Sequence, residues 1–203
     1  MNGQFIITIS REFGSGGHEI AENLSKRLGV KLYDRAMLDE ISAKLNVDPE
    51  VLRPYEEKPR NFLFTRRIGK HSNSMEEILA EMQFNFIKEK ADSGESFVVV
   101  GRCADSVLSG RKGLVRIFVT GCTEHKVERV MKKYNLDEKQ ALDKMKRHDM
   151  NRKWYHNRYS DFKWGDSRHY DICINSFPGI DDTTEVLEAY IKKLIASLPD
   201  GKQ

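Results

Sequence analysis

Gly14, Ser15, Gly16, Gly17 and His18 are the residues of this chain whose types and spacing best suit chemistry. They follow a β-branched apolar run, Phe5 to Ile9, and precede Ile20, Leu24 and Leu28 at helical spacing. The pattern predicts a buried strand, a glycine loop and the start of a helix. Free N–H groups and the helix dipole converge at such a junction and favour a phosphate. The loop compares with the nucleotide-binding pattern G-x-x-x-x-G-K-[ST], in which the lysine reaches the outer phosphates and the hydroxyl helps to hold magnesium. Here Gly17 stands at the lysine position, His18 at the hydroxyl position, and the first glycine is missing. A turn that merely joins a strand to a helix is the competing explanation, and the loop alone leaves both open.

Other candidates sit just after strand-like segments. Asp34 and Arg35 follow Val30 to Tyr33, and could face a second substrate at the carboxyl end of a strand. Asp34 could equally cap the helix carrying Met37, Leu38 and Ile41. Gly101, Arg102 and Asp105 follow Phe97 to Val100. A guanidinium there is a planar fork suited to phosphate, with Asp105 orienting it or touching a base or sugar. A simple Arg102–Asp105 surface pair is the alternative. Residues 146–159 form the densest basic stretch, with Arg147 and Arg152 among aromatic residues. Cations there could close on a transferring phosphoryl group. The same stretch also fits a solvated helix face or a single-strand nucleic-acid surface.

The elements needed to position these groups are readable. Strands are expected at Phe5–Ile9, Val30–Tyr33, Phe97–Val100, Leu114–Thr120 and Tyr170–Asn175, separated by amphipathic helices. That alternation implies an α/β fold with a mostly parallel five-stranded sheet covered on both faces, a three-layer sandwich. Gly29 is expected to end the first helix, Thr123 and Asp137 to cap later ones, and Leu142 and Val186 to lie on core-facing sides of theirs. Residues 48–74 break the pattern with Pro49, Pro54 and Pro59 and many cations, and Phe62, Leu63 and Phe64 could anchor them. The 203 residues suit one domain, 1–203, with a helical insertion at 48–95 on the acceptor side and a lid at 146–168.

Composition narrows the function. A net charge of +3 argues against a nucleic-acid-binding protein, and no apolar run approaches a membrane span. Cys103, Cys122 and Cys173 are odd in number and lack metal-finger spacing; Cys122 and Cys173 read as small buried residues. The expected compartment is the cytoplasm, since Met1 to Gln4 carry no targeting pattern. A homo-oligomer is left open.

In order along the chain, these segments resemble the cytidylate-kinase-like family of nucleoside monophosphate kinases. The resemblance rests on Ile9 to Gly17, Tyr33-Asp34-Arg35, Val98 to Asp105, the basic stretch around Arg147 and Arg152, and Trp164-Gly165-Asp166 leading to Tyr170–Asn175. It implies a P-loop fold that transfers the γ-phosphoryl of ATP to a nucleoside monophosphate, CMP or dCMP first, with Mg2+. Residues 14–18 would then hold the donor phosphates. Asp34, Arg35, Arg102 and Asp105 would face the acceptor, and Arg147 and Arg152 would close from an arginine-rich lid. Arg11 or a lid arginine would supply the charge missing at Gly17, with Ser10 or Ser15 as a metal contact. The metal ligands themselves stay unknown. Gly17 and His18 also suit a catalytically silent nucleotide-binding protein of the same fold.

Overall fold

A computed structural model describes residues 3–56, 67–68, 71–72 and 74–197. The chain opens with β1 (Ile6–Arg11), α1 (Gly17–Leu28), β2 (Lys31–Tyr33), α2 (Met37–Leu45) and the single-turn α3 (Pro49–Leu52). A short antiparallel pair, β3 (Arg67–Ile68) and β4 (His71–Ser72), precedes α4 (Met75–Asp92) and β5 (Phe97–Val100). The turn α5 (Ala104–Val107), β6 (Leu114–Thr120), α6 (Thr123–Tyr134), α7 (Glu138–Tyr159), β7 (Ile172–Asn175) and α8 (Ile180–Ser197) complete it.

The main sheet has the order β2-β5-β1-β6-β7, and every pairing is parallel. β1 is central: Ile9 lies opposite Val100 on one side and Ile117 on the other. Side chains alternate between two cores, as the strand period requires. Ile7, Ile9, Val98 and Val119 pack with Ile20, Leu24, Leu187 and Ile191 of α1 and α8. Ile6, Phe97 and Val99 pack on the other face with Met37 and Ile41 of α2 and Phe86 and Ile87 of α4. Each fully buried aliphatic side chain contributes about 1.5–3 kcal/mol, so the two cores fix the sheet firmly. Its carboxyl edge is therefore a rigid platform for the turns after β1, β2 and β5.

Helix ends follow local chemistry. Gly29 ends α1 in the left-handed conformation, with φ of 65°. Asp137 caps α7 through a reciprocal box with Gln140. Thr123 does not cap α6: it is the first helical residue, after Cys122. Asp34 does not occupy the cap of α2 either, yet its Oδ1 accepts from the Ala36 N–H at 2.8 Å and so shapes the entry turn. Four apolar expectations fail by burial. Cys173 is exposed because β7 is an edge strand, Cys122 is half-buried at a helix entrance, and Leu142 and Val186 face outward. Phe62, Leu63 and Phe64 lie outside the described residues. Among the described residues no helix is long and apolar enough to cross a membrane.

Candidate phosphoryl-transfer site

The loop between β1 and α1 is built from bare backbone. Gly14 and Gly16 hold φ of 83° and 77°, a region other residues rarely adopt. A Cβ on Gly14 would meet the Lys126 carbonyl oxygen and Val130 Cγ2, each at 3.0 Å. One on Gly16 would collide with Ile180 and meet the Arg129 guanidinium. Gly16 caps α1 without a side chain, so the first-turn N–H groups are left for a ligand. Ser15 is fully buried and turns back, its hydroxyl donating to the Glu12 carbonyl oxygen at 2.9 Å.

Glu12 anchors the loop from behind. Its Oε2 accepts from Lys126 Nζ at 2.7 Å and Thr120 Oγ1 at 2.6 Å. Burial pushes the Glu12 carboxyl up, but the bonds from Lys126, Thr120 and the Gly121 N–H outweigh it and hold its pKa below the usual value. Helix α7 docks on the same loop. Asp149 Oδ1 accepts from the Phe13 N–H at 2.7 Å, and Arg152 Nη1 donates to the Arg11 carbonyl oxygen at 3.1 Å. Burial raises the Asp149 carboxyl, and the Phe13 bond only partly offsets it. His148 stacks on Phe13 with ring centroids 4.2 Å apart. Burial, then Arg152, Lys144, Arg147 and Arg35, push its pKa down to about 4.

The loop, α7 and the sheet edge line a cavity of about 320 Å³, large enough for a small ligand. Gly14, Gly16, Gly17 and His18 line one wall, with Arg11 beside them. Asp34, Arg35 and Arg102 line the wall toward β2 and β5, and Arg152 enters from α7. His18 Nε2 lies 3.4 Å from Asp34 Oδ2 at their junction. Ser10, Ser15, Asp105 and Arg147 are the anticipated residues that do not line it; Arg147 is exposed on α7. Arg129 and Lys133 were not anticipated, yet both line the wall, and Arg129 Nη1 donates to the Gly14 carbonyl oxygen at 2.8 Å. Their sole signal in the sequence is a pair of cations four apart on α6, a common surface pattern.

The turn after β5 is built differently. Gly101, Arg102 and Cys103 all take positive φ, a strained run for two non-glycine residues. Arg102 does not pair with Asp105: its Nη2 donates to Glu56 Oε1 at 2.6 Å. Asp105 instead meets His156 of α7, Oδ2 to Nε2 at 2.7 Å, both residues buried. Cys103 Sγ donates to the His156 carbonyl oxygen at 3.7 Å. Among the described residues this is also where Cys, Asp and His ligand atoms gather within 4.8 Å.

The cavity fits the groups a kinase needs. An N–H cradle and several guanidinium groups suit a polyphosphate. Asp34 and Glu19 offer carboxylate oxygens at its wall, the donor type that magnesium takes. Ser10 is buried beside Tyr170 and Ser15 faces inward, so neither hydroxyl reaches the cavity wall.

Comparison with known proteins agrees with this geometry. The model of the cytidylate kinase-like family matches residues 6–177. An uncharacterized protein of Eubacterium ventriosum, known from a crystal structure, is 39% identical over 93% of this chain and 99% of its own, with a TM-score of 0.74. Shikimate kinases share the fold at low identity. That of Aquifex aeolicus is 14% identical over 95% and 99% of the two chains (TM-score 0.52), and that of Bacteroides thetaiotaomicron 11% over 93% and 98% (TM-score 0.55). No curated protein matches the chain in sequence. With its all-parallel sheet, glycine loop and matched length, the chain belongs to the cytidylate kinase-like family and has the P-loop kinase fold.

Proposed function

We propose that the protein transfers the γ-phosphoryl group of ATP to a nucleoside monophosphate, with a CMP- or dCMP-like acceptor foremost. One observation carries this reading: the glycine cradle, Arg35, Arg102 and Arg152 all open on a single cavity. In such chemistry the protein positions two anions and neutralises the charge between them. The loop from Gly14 to His18 grips the donor phosphates, with Ser15 bracing it from inside. Arg129 and Lys133 add charge on that side. Asp34, Arg35 and Arg102 receive the acceptor, and Arg152 bridges the two from α7. Asp105 acts through His156, holding α7 against the sheet. Arg147 contributes when the lid moves inward. Magnesium, when bound, shields phosphate charge, and Asp34 is the carboxylate best placed to share it.

A coupled assay of ATP against a panel of nucleoside monophosphates tests the proposal. Turnover should be fastest with a pyrimidine monophosphate. Absence of phosphorylated product with every acceptor would remove it. A second reading, a nucleotide-binding protein without turnover, is favoured by Gly17 and His18, which stand where the pattern has lysine and a hydroxyl. Calorimetric ATP binding together with no product would select it.

A further inference from the structure

Why position 17 lacks a lysine is answered by its neighbour. Gly17 is the first residue of α1 and does not have a positive φ, so its backbone would accept any side chain. What excludes one is Arg11. A Cβ on Gly17 would lie 2.6 Å from Arg11 Cβ and 3.0 Å from its Cγ, and the next neighbour, Val119 Cβ, is at an ordinary 3.4 Å. Arg11 Cβ cannot swing aside, because β1 pairs Arg11 with Val119 of β6. Position 11 is where the nucleotide-binding pattern has its first glycine, and position 17 is where it has lysine. The two departures therefore meet at one point in space, and Arg11 lines the cavity beside Gly14, Gly16 and Gly17.

The geometry points to a reciprocal exchange: the donor-phosphate cation has moved from the end of the loop to its start, with Arg11 filling the place of the lysine and Gly17 supplying the room. This deepens the kinase reading and rests on it. A guanidinium at this position brings a planar fork in place of a point charge. It also reaches the phosphates from the strand side of the loop.

Exchanging both residues tests the inference. The double variant R11G/G17K spells G-E-F-G-S-G-K across residues 11–17. ATP and inorganic tripolyphosphate binding would be measured by calorimetry for wild type, R11G, G17K and the double variant, with melting curves for each. Loss of one charge-assisted contact should weaken both ligands by about 10- to 100-fold in R11G. G17K should weaken them through collision with Arg11. The double variant should recover to within about fivefold of wild type, a coupling that independent sites do not show. Should R11G fail to fold, R11M keeps the stem that packs on Gly17, removes only the charge, and should show the same loss. Wild-type affinity in R11G or R11M, or a double variant no better than the worse single, would overturn the exchange and leave the kinase reading standing. A wild-type protein that binds neither ligand would remove both.

Discussion

Two strand-to-helix turns lie side by side at the carboxyl edge of the sheet, after β1 and after β5, and they are built on opposite principles. The first presents backbone: Gly14 and Gly16 leave N–H groups bare, and neighbouring backbone and side-chain atoms crowd the places where their Cβ atoms would stand. The second presents side chains: Arg102 and Asp105 are buried, and each is held by a residue from a different part of the chain, Glu56 and His156. The first turn thus suits an anion that comes and goes. The second acts as a clamp joining residues 48–56 and α7 to the sheet. A glycine loop cannot itself discriminate one phosphate compound from another, so under the proposed function selectivity for the acceptor would fall to the second turn and to the parts it holds.

If that division is right, damage to the two turns should look different. Gly16→Ala should abolish ATP binding in calorimetry, because the new methyl strikes Ile180 and Arg129 and the backbone resists φ of 77°; the strain itself should cost about 1–3 kcal/mol of stability. His156→Ala should do the reverse. It strands the buried Asp105 carboxylate and opens a cavity, lowering stability by roughly 3 kcal/mol in denaturant titrations, while ATP affinity changes less than about tenfold.

A third test uses pH. The folded-state pKa of His148 is near 4, below its ordinary value of 6.5. The unfolded chain therefore binds the extra proton first. Stability from this group is complete above about pH 6.5 and falls as the pH drops toward 4. Replacing His148 with phenylalanine, which keeps the stacking on Phe13, should flatten that part of the stability profile. The smallest effect is expected far from both turns. Lys44→Ala removes an exposed pair with Glu89 and should leave melting temperature and ATP binding unchanged.

Much of this was legible in the sequence for physical reasons. Buried parallel strands are continuous apolar runs, so Phe5–Ile9, Phe97–Val100 and Leu114–Thr120 marked the sheet. Asp137 and Gly29 marked helix ends because their chemistry is local. The same logic could not find β3 and β4, whose two-residue strands leave no period. Edge position made Cys173 exposed, and no local pattern reports which strand is outermost. At the site, residues near glycines were readable, whereas Arg129 and Lys133 reach the cavity only through the packing of α6 on the loop. The Arg102–Asp105 pair, weighed in the sequence as the alternative reading, does not form, and their actual partners were not legible because the fold delivers Glu56 and His156 from 46 and 51 residues away. The collision between Arg11 and Gly17 is likewise a fact of three dimensions.

The most direct measurement is a crystal structure with a non-hydrolysable ATP analogue, magnesium and CMP. The account predicts the triphosphate against the first-turn N–H groups of α1 beside Arg11 and Arg129, with the CMP phosphate against Arg35 and Arg102 in the same cavity. A triphosphate seated elsewhere, or two ligands in separate pockets with Arg102 still bound only within the protein, would contradict it.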